Sequence, residues 1–259
     1  MRNVLEIGGR RLPFLRWSVL RMAFGARNLM KNWQVGDGRE EAMAEYVLAN
    51  ARRGDAEDVI RAIDEFCMTR SVMINVGDEK GEILDSAVRK ASPQLLLELG
   101  TYCGYSALRM AQVMPAGARV CSIEFLPANA AIARRIWDHA GIGDQLNVIV
   151  GTLGDGGQTI DRLRSEYGFG EGAVDFVFID HDKAAYLPDL ERVLAERWLH
   201  PGSIVVADNV KFPGAPEYRA YLEEHEGRDW RTTEHNTHVE YQSLMKDLVL
   251  ESEYLGEQN

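Results

Sequence analysis

Beyond residue 90 the chain alternates short apolar runs with stretches of helical composition, and it does so five times. Runs at Gln94–Leu99, Arg119–Glu124, Leu146–Gly151, Val174–Asp180 and Ser203–Asp208 read as strands. Tyr105–Met114, Ala128–Ala140, Gly157–Tyr167, Leu187–Arg197 and Pro216–Glu224 read as the intervening helices. The strand runs are apolar nearly throughout instead of alternating with polar residues, so both of their faces must be covered. A repeated β-α unit with such strands folds into a parallel sheet sandwiched between helices. After Trp230 the alternation stops. Trp230–His235 and Lys246–Tyr254 are expected as two more strands closing the sheet antiparallel. The predicted fold is therefore a doubly wound, Rossmann-like α/β sheet of seven strands, mostly parallel with an antiparallel C-terminal strand and helices on both faces.

A chain of 259 residues, 46% hydrophobic and 27% charged, has enough apolar material for one large core without disulfide staples. Its three cysteines, Cys67, Cys103 and Cys121, are odd in number and form no C-x-x-C pair, so reduced thiols in a cytoplasmic protein are expected and a structural zinc site is not. A formal charge of -11 argues against nucleic-acid binding, which needs a basic surface. That charge is unevenly spread. Residues 1–36 hold seven Lys/Arg and a single Glu, with Leu15, Val19, Met22, Ala26, Leu29 and Trp33 at helical spacing. The expected organisation is a basic amphipathic N-terminal helix or extension over residues 1–36, hinged at Gly36-Asp37-Gly38, and one α/β domain over residues 37–259. The apolar face suits packing on the domain, self-association, or a peripheral contact with an anionic membrane. No segment here has the length of a membrane span or the pattern of a secretory signal. Arg39–Ala51 and Ala56–Thr69 read as two further helices, the second with Val59, Ile63 and Phe66 on one side.

In open α/β sheets ligands lie beyond the carboxyl ends of the strands. There the sequence is unusually polar. The first strand runs into Glu98-Leu99-Gly100-Thr101-Tyr102-Cys103-Gly104-Tyr105-Ser106, and tyrosines stand where a dinucleotide fingerprint needs glycines. E-x-G-x-x-x-G, with the acid Glu124 ending the second strand, instead resembles the S-adenosylmethionine loop of class I methyltransferases. Glu124 is suited to the ribose hydroxyls, and Glu98 adds negative potential toward the sulfonium. Asp180, Asp208 and Asn209 end the fourth and fifth strands with the hard oxygens that Mg²⁺ takes, although capping or turn roles account for each singly. Lys183 follows Asp180 by three residues, where a surface lysine is the plain alternative.

Asn75–Gly81, Leu97–Ser106, Asp208-Asn209-Val210 and Pro213–Pro216 together resemble the catechol O-methyltransferase family, over about residues 38–256. The resemblance implies Mg²⁺ on Asp180, Asp208 and Asn209, Lys183 as general base, and Glu240 hydrogen-bonded to the second hydroxyl of a catechol or related diol. It implies S-adenosyl-L-methionine contacts from Val76, Gly100, Tyr102, Ser106 and Glu124, to which the strand-end pattern adds Glu98, Phe125, Asp180 and His181. Departures from the family stand at Val72 and Asp182, in place of aromatic gatekeepers, and at Leu153-Gly154, in place of a Ser-Gln pair near the adenine. Adenine stacking is then expected to fall more heavily on Phe125 and His181. Asp182 either makes the pocket mouth polar or caps the helix beginning near Lys183. The expected activity is Mg²⁺-dependent methylation of a catechol hydroxyl. The alternatives are another vicinal-diol aromatic, such as a caffeoyl thioester or secondary metabolite, and a non-catalytic binding protein of the same fold.

Overall fold

A computed structural model describes residues 5–7, 10–12 and 36–256. Leu5–Ile7 (β1) and Arg10–Leu12 (β2) pair antiparallel. The amphipathic helix expected over 13–33 lies outside the described residues. Three helices then precede the sheet, the first two being Arg39–Asn50 (α1) and Ala56–Thr69 (α2). Asp55 caps α2 by accepting from the Asp58 amide at 3.0 Å, which satisfies one of the free donors of a helix start. Val59, Ile63 and Phe66 are buried on one face of α2, as their spacing requires.

The seven-stranded sheet runs β5-β4-β3-β6-β7-β9-β8. Its strands are Leu95–Leu99 (β3), Arg119–Glu124 (β4), Leu146–Val150 (β5), Val174–Ile179 (β6), Leu199–Ala207 (β7), Trp230–His238 (β8) and Lys246–Tyr254 (β9). The first five are parallel, and β9 lies antiparallel between β7 and β8. The alternation of side chains across a strand explains the apolar runs. Leu95, Leu97 and Leu99 enter one core with Trp198 and Tyr218, while Leu96 enters the other with Ile63, Leu84 and Trp137. Tyr105–Val113 (α4) and Pro127–Ala140 (α5) cover the second face; Gln158–Tyr167 (α6), Tyr186–Ala195 (α7) and Pro216–Glu224 (α8) contribute to the first. All three cysteines are buried and none is in a disulfide. Among the described residues no helix is long and apolar enough to cross a membrane.

Two elements differ from expectation. Strand β7 begins at Leu199, before Pro201 and Gly202, because Leu199 pairs with Val174 ahead of a register shift. Gly77–Ala91 forms a 15-residue helix (α3) that the sequence pattern did not announce. Its first turns hold Gly77, Gly81 and charged residues, all weak signals for a buried helix. Gly81 leaves room for the Arg109 guanidinium: a Cβ there would meet its carbon at 2.6 Å, so a larger residue would require Arg109 to shift.

Candidate active site

Sheet register assembles the site. Leu99 lies opposite both Ile123 and Ile179, and Ile179 lies opposite Ala207, so Gly100, Glu124, Asp180 and Asp208 form one row past the carboxyl edge. Backbone bonds lock the row: Gly100 N to Ile123 O at 3.0 Å, Asp180 N to Leu99 O at 2.9 Å and Asp208 N to Ile179 O at 3.0 Å. Strand order reverses between β3 and β6, which is where doubly wound sheets open a ligand crevice. Gly100 has φ +106°, and a side chain there would run into the Asp180 carbonyl. Glycine thus permits the two loops to touch.

A cavity of about 840 Å³ opens above this row. Of the residues expected to hold a cofactor, Gly100, Tyr102, Glu124, Phe125, Asp180 and His181 line it. Tyr102 sits at φ +46°, and its amide donates to Glu124 Oε2 at 2.8 Å. Leu126 N donates to Glu124 Oε1 at 2.9 Å. Burial raises the Glu124 carboxyl above its ordinary value, against these donors. Phe125 is 41% exposed, an aromatic face open to the cavity. His181 is held at Nε2 by Asp189 Oδ2 at 2.8 Å and stacks on Tyr186 with ring centres 5.3 Å apart.

Glu98 and Ser106 are not on this wall, and Val76 lines a smaller cavity that shares Val239 and Glu240 with it. Val76 is buried at the start of α3. Glu98 shares a strand face with Leu96, so it points under α4, where it accepts hydrogen bonds from Ser106 and Ser122. Burial pushes its carboxyl up to about 7. Leu153 and Gly154 do line the cavity, whereas Asp155 caps Thr159 of α6, accepting from its amide at 3.2 Å. Val72 is not on the cavity wall. Asp182 is both on the wall and a cap, accepting from Ala184 N at 3.2 Å.

The other end of the cavity carries the expected reactive set. Lys183 Nζ donates to Asp180 Oδ1 at 2.9 Å and to the Tyr186 hydroxyl, which in turn donates to the Asp208 carbonyl at 2.9 Å. Asp208 is fully buried at the end of β7. Its Oδ1 accepts from Asn209 N at 2.6 Å and pairs with Lys80 Nζ at 2.7 Å, while its Oδ2 is buried with no hydrogen-bond partner. Asn209, at φ +54°, donates its amide to Glu240 Oε1 at 3.0 Å and to Asp247 Oδ2 at 2.8 Å. Asp208, Glu240 and Asp247 gather carboxylate oxygens within 4.8 Å of one another.

Sequence reasoning missed two of these residues. Lys80 is 1% exposed and pairs with Asp208, Glu240 and Asp247. Burial pulls its pKa down, but the three carboxylates more than reverse this and leave it raised and charged. Asp247 is buried at the start of β9; Lys80 and the donors on Leu248, Asn209 and Phe212 hold its carboxyl below the ordinary value despite burial. A lysine within an apolar-poor helix start gives no sign of burial, and no local spacing joins residues so far apart in sequence.

With this geometry in view, the relationships to known proteins are specific. Residues 54–242 match the family model described as O-methyltransferase. The chain is 60% identical, over 91% of its length and all of the other protein, to "Probable O-methyltransferase Rv1703c" of Mycobacterium tuberculosis. It is 40% identical to catechol O-methyltransferase B of Danio rerio, covering 84% of this chain and 80% of that one. The fold is shared with an O-methyltransferase from Bacillus cereus solved in complex with SAH, at a TM-score of 0.61 and 22% identity over 82% of this chain and 90% of that one. The fold, with its crevice at the switch point, is the Rossmann-like fold of class I methyltransferases. The chain belongs to the O-methyltransferase family.

Proposed function

We propose that the protein transfers the methyl group of S-adenosyl-L-methionine to a hydroxyl of a catechol-type small molecule, with Mg²⁺ bound at Asp180, Asp208 and Asn209. Residues 37–259 form the catalytic domain in this proposal and residues 1–36 an extension to it. The supporting observation is the unpartnered Asp208 Oδ2, buried beside Asn209 and next to Asp180 on the adjoining strand end. A desolvated carboxylate oxygen with no donor is unfavourable by itself, and a divalent cation with oxygen preference suits it. Bound there, Mg²⁺ would lower the pKa of a coordinated phenol from its ordinary value near 10.

The chain's own side chains account for the rest. Lys183 takes the phenolic proton; its hydrogen bonds to Asp180 and Tyr186 aim the amine along the cavity wall. Glu240 accepts from the second hydroxyl and so fixes which oxygen is presented. Phe212, 46% exposed on the cavity wall beside Pro213, offers an apolar face to an acceptor ring where Val72 contributes none. Glu124 holds the ribose, and Phe125 and His181 flank the adenine. Positioning of this kind can supply up to ~7–11 kcal/mol of rate acceleration. Transfer of labelled methyl to a panel of catechols, caffeoyl thioesters and monophenols, with and without Mg²⁺, tests it. Catechol methylation that stops on chelation is expected; metal-independent transfer, or transfer to monophenols alone, overturns the proposal.

A further inference from the structure

Three acids crowd together at the floor of the site, yet their cation is already present. Lys80 Nζ lies 2.7 Å from Asp208 Oδ1 and 3.1 Å from Asp247 Oδ2, and it also contacts Glu240 Oε1. Each of these contacts uses one oxygen of its carboxylate. Asp247 is saturated: Oδ2 receives Lys80 and Asn209 Nδ2, and Oδ1 receives the amides of Phe212 and Leu248, at 2.9 and 2.8 Å. It therefore has no lone pair well placed for a further ligand and works as a bracket.

What it brackets is the Asn209 amide. Both Nδ2 hydrogens have carboxylate acceptors, on Asp247 and Glu240, so the amide cannot flip without placing its oxygen against two anions. Asn209 Oδ1 is thereby kept as the acceptor presented away from the acids. Lys80 does the same for Asp208, engaging Oδ1 and leaving Oδ2 unengaged.

We infer that Lys80 and Asp247 are positioning residues: a buried ammonium–carboxylate frame that sets the orientation of Asp208, Asn209 and Glu240 for the divalent cation and acceptor. The inference rests on the Mg²⁺ site proposed above. Neither residue touches substrate in this scheme. Partners that orient metal ligands are worth about 10–100-fold in metal affinity when removed.

Asp247→Asn keeps the shape but replaces one acceptor oxygen with an NH₂ that must face donors on one side. Mn²⁺ binding to the purified full chain, followed by electron paramagnetic resonance, should weaken about 10–100-fold, while SAH affinity by calorimetry stays as in wild type. Unchanged Mn²⁺ affinity in the folded variant overturns the inference. So does a parallel loss of SAH and Mn²⁺ binding, which marks general damage. No Mn²⁺ binding by wild type would instead defeat the metal site itself, and the inference with it. If Asp247→Asn does not fold, Lys80→Arg carries the test: it keeps the charge, moves the donors and should weaken Mn²⁺ alone. Failure of both to fold assigns the pair to the scaffold and rejects the positioning role.

Discussion

Tyr186 donates its hydroxyl hydrogen to the Asp208 carbonyl at 2.9 Å and, through its remaining lone pair, accepts from Lys183. Burial keeps this phenol far above its ordinary pKa, so it stays a neutral relay between α7 and the end of β7. Lys183 therefore has a fixed address, with Asp180 at 2.9 Å as its second partner.

From that placement, Lys183→Ala should lower kcat by roughly 10²–10⁴ with cofactor affinity little changed, because the proposed proton acceptor is lost and the cavity is not. The deficit should shrink at high pH, where the phenol ionises unaided. A pH–rate profile of wild type and variant checks both. Tyr186→Phe should lower kcat more than it raises KM.

Glu98 should make stability fall as pH rises. Its folded pKa, about 7, lies above the ordinary 4.5, so between those values the native state holds a proton that the unfolded chain has released. Unfolding free energy then declines as pH rises through this window, by on the order of 3 kcal/mol. Glu98→Gln, which has nothing to ionise, should be less stable than or equal to wild type at pH 4.5 and relatively more stable at pH 8. Urea titrations across that range measure the crossover; parallel curves would contradict it.

If Glu124 holds the ribose as proposed, Glu124→Ala should weaken S-adenosylmethionine binding by about 2–4 kcal/mol, since two charge-assisted hydrogen bonds do not add fully. The same carboxylate also anchors the amides of Tyr102 and Leu126, so part of the loss should persist for ligands lacking the ribose hydroxyls. Calorimetry with SAM and with a deoxyribose analogue separates the two parts.

Asp182 should set a charge preference. Its side chain is exposed on the cavity wall while one oxygen caps Ala184 N. A catechol carboxylic acid should be disfavoured against a catecholamine by about 1 kcal/mol through a partly solvated like-charge contact. The kcat/KM ratio of the two substrates should change in Asp182→Trp; a constant ratio leaves Asp182 as a cap alone. Phe212→Ala should raise KM for both acceptors and leave cofactor affinity intact.

Removing divalent ions should stop turnover. Asp208→Ala should also cost stability, since it strips Lys80, buried at 1% exposure, of its 2.7 Å partner. Loss of activity in that variant must accordingly be measured alongside its unfolding midpoint.

Local pattern carried the order of elements: runs such as Leu95–Leu99 and Val174–Ile179 are apolar at all but one position, as strands of a parallel sheet covered on both faces are. It also carried the row Gly100, Glu124, Asp180 and Asp208, because each directly follows or ends a strand and strands fix where their ends lie. Tertiary structure alone decided depth and partnership. Glu98 and Ser106 are adjacent to the cofactor loop in sequence, yet strand alternation and helix phase turn them beneath the wall. Lys80 and Asp247 belong to α3 and β9, elements far apart in the chain, and become partners only when β9 enters the sheet beside β7 and carries Asp247 beneath the Asn209 turn. Periodicity reports which face of an element is buried; it holds no information about which charges two distant elements will bring within 3.1 Å.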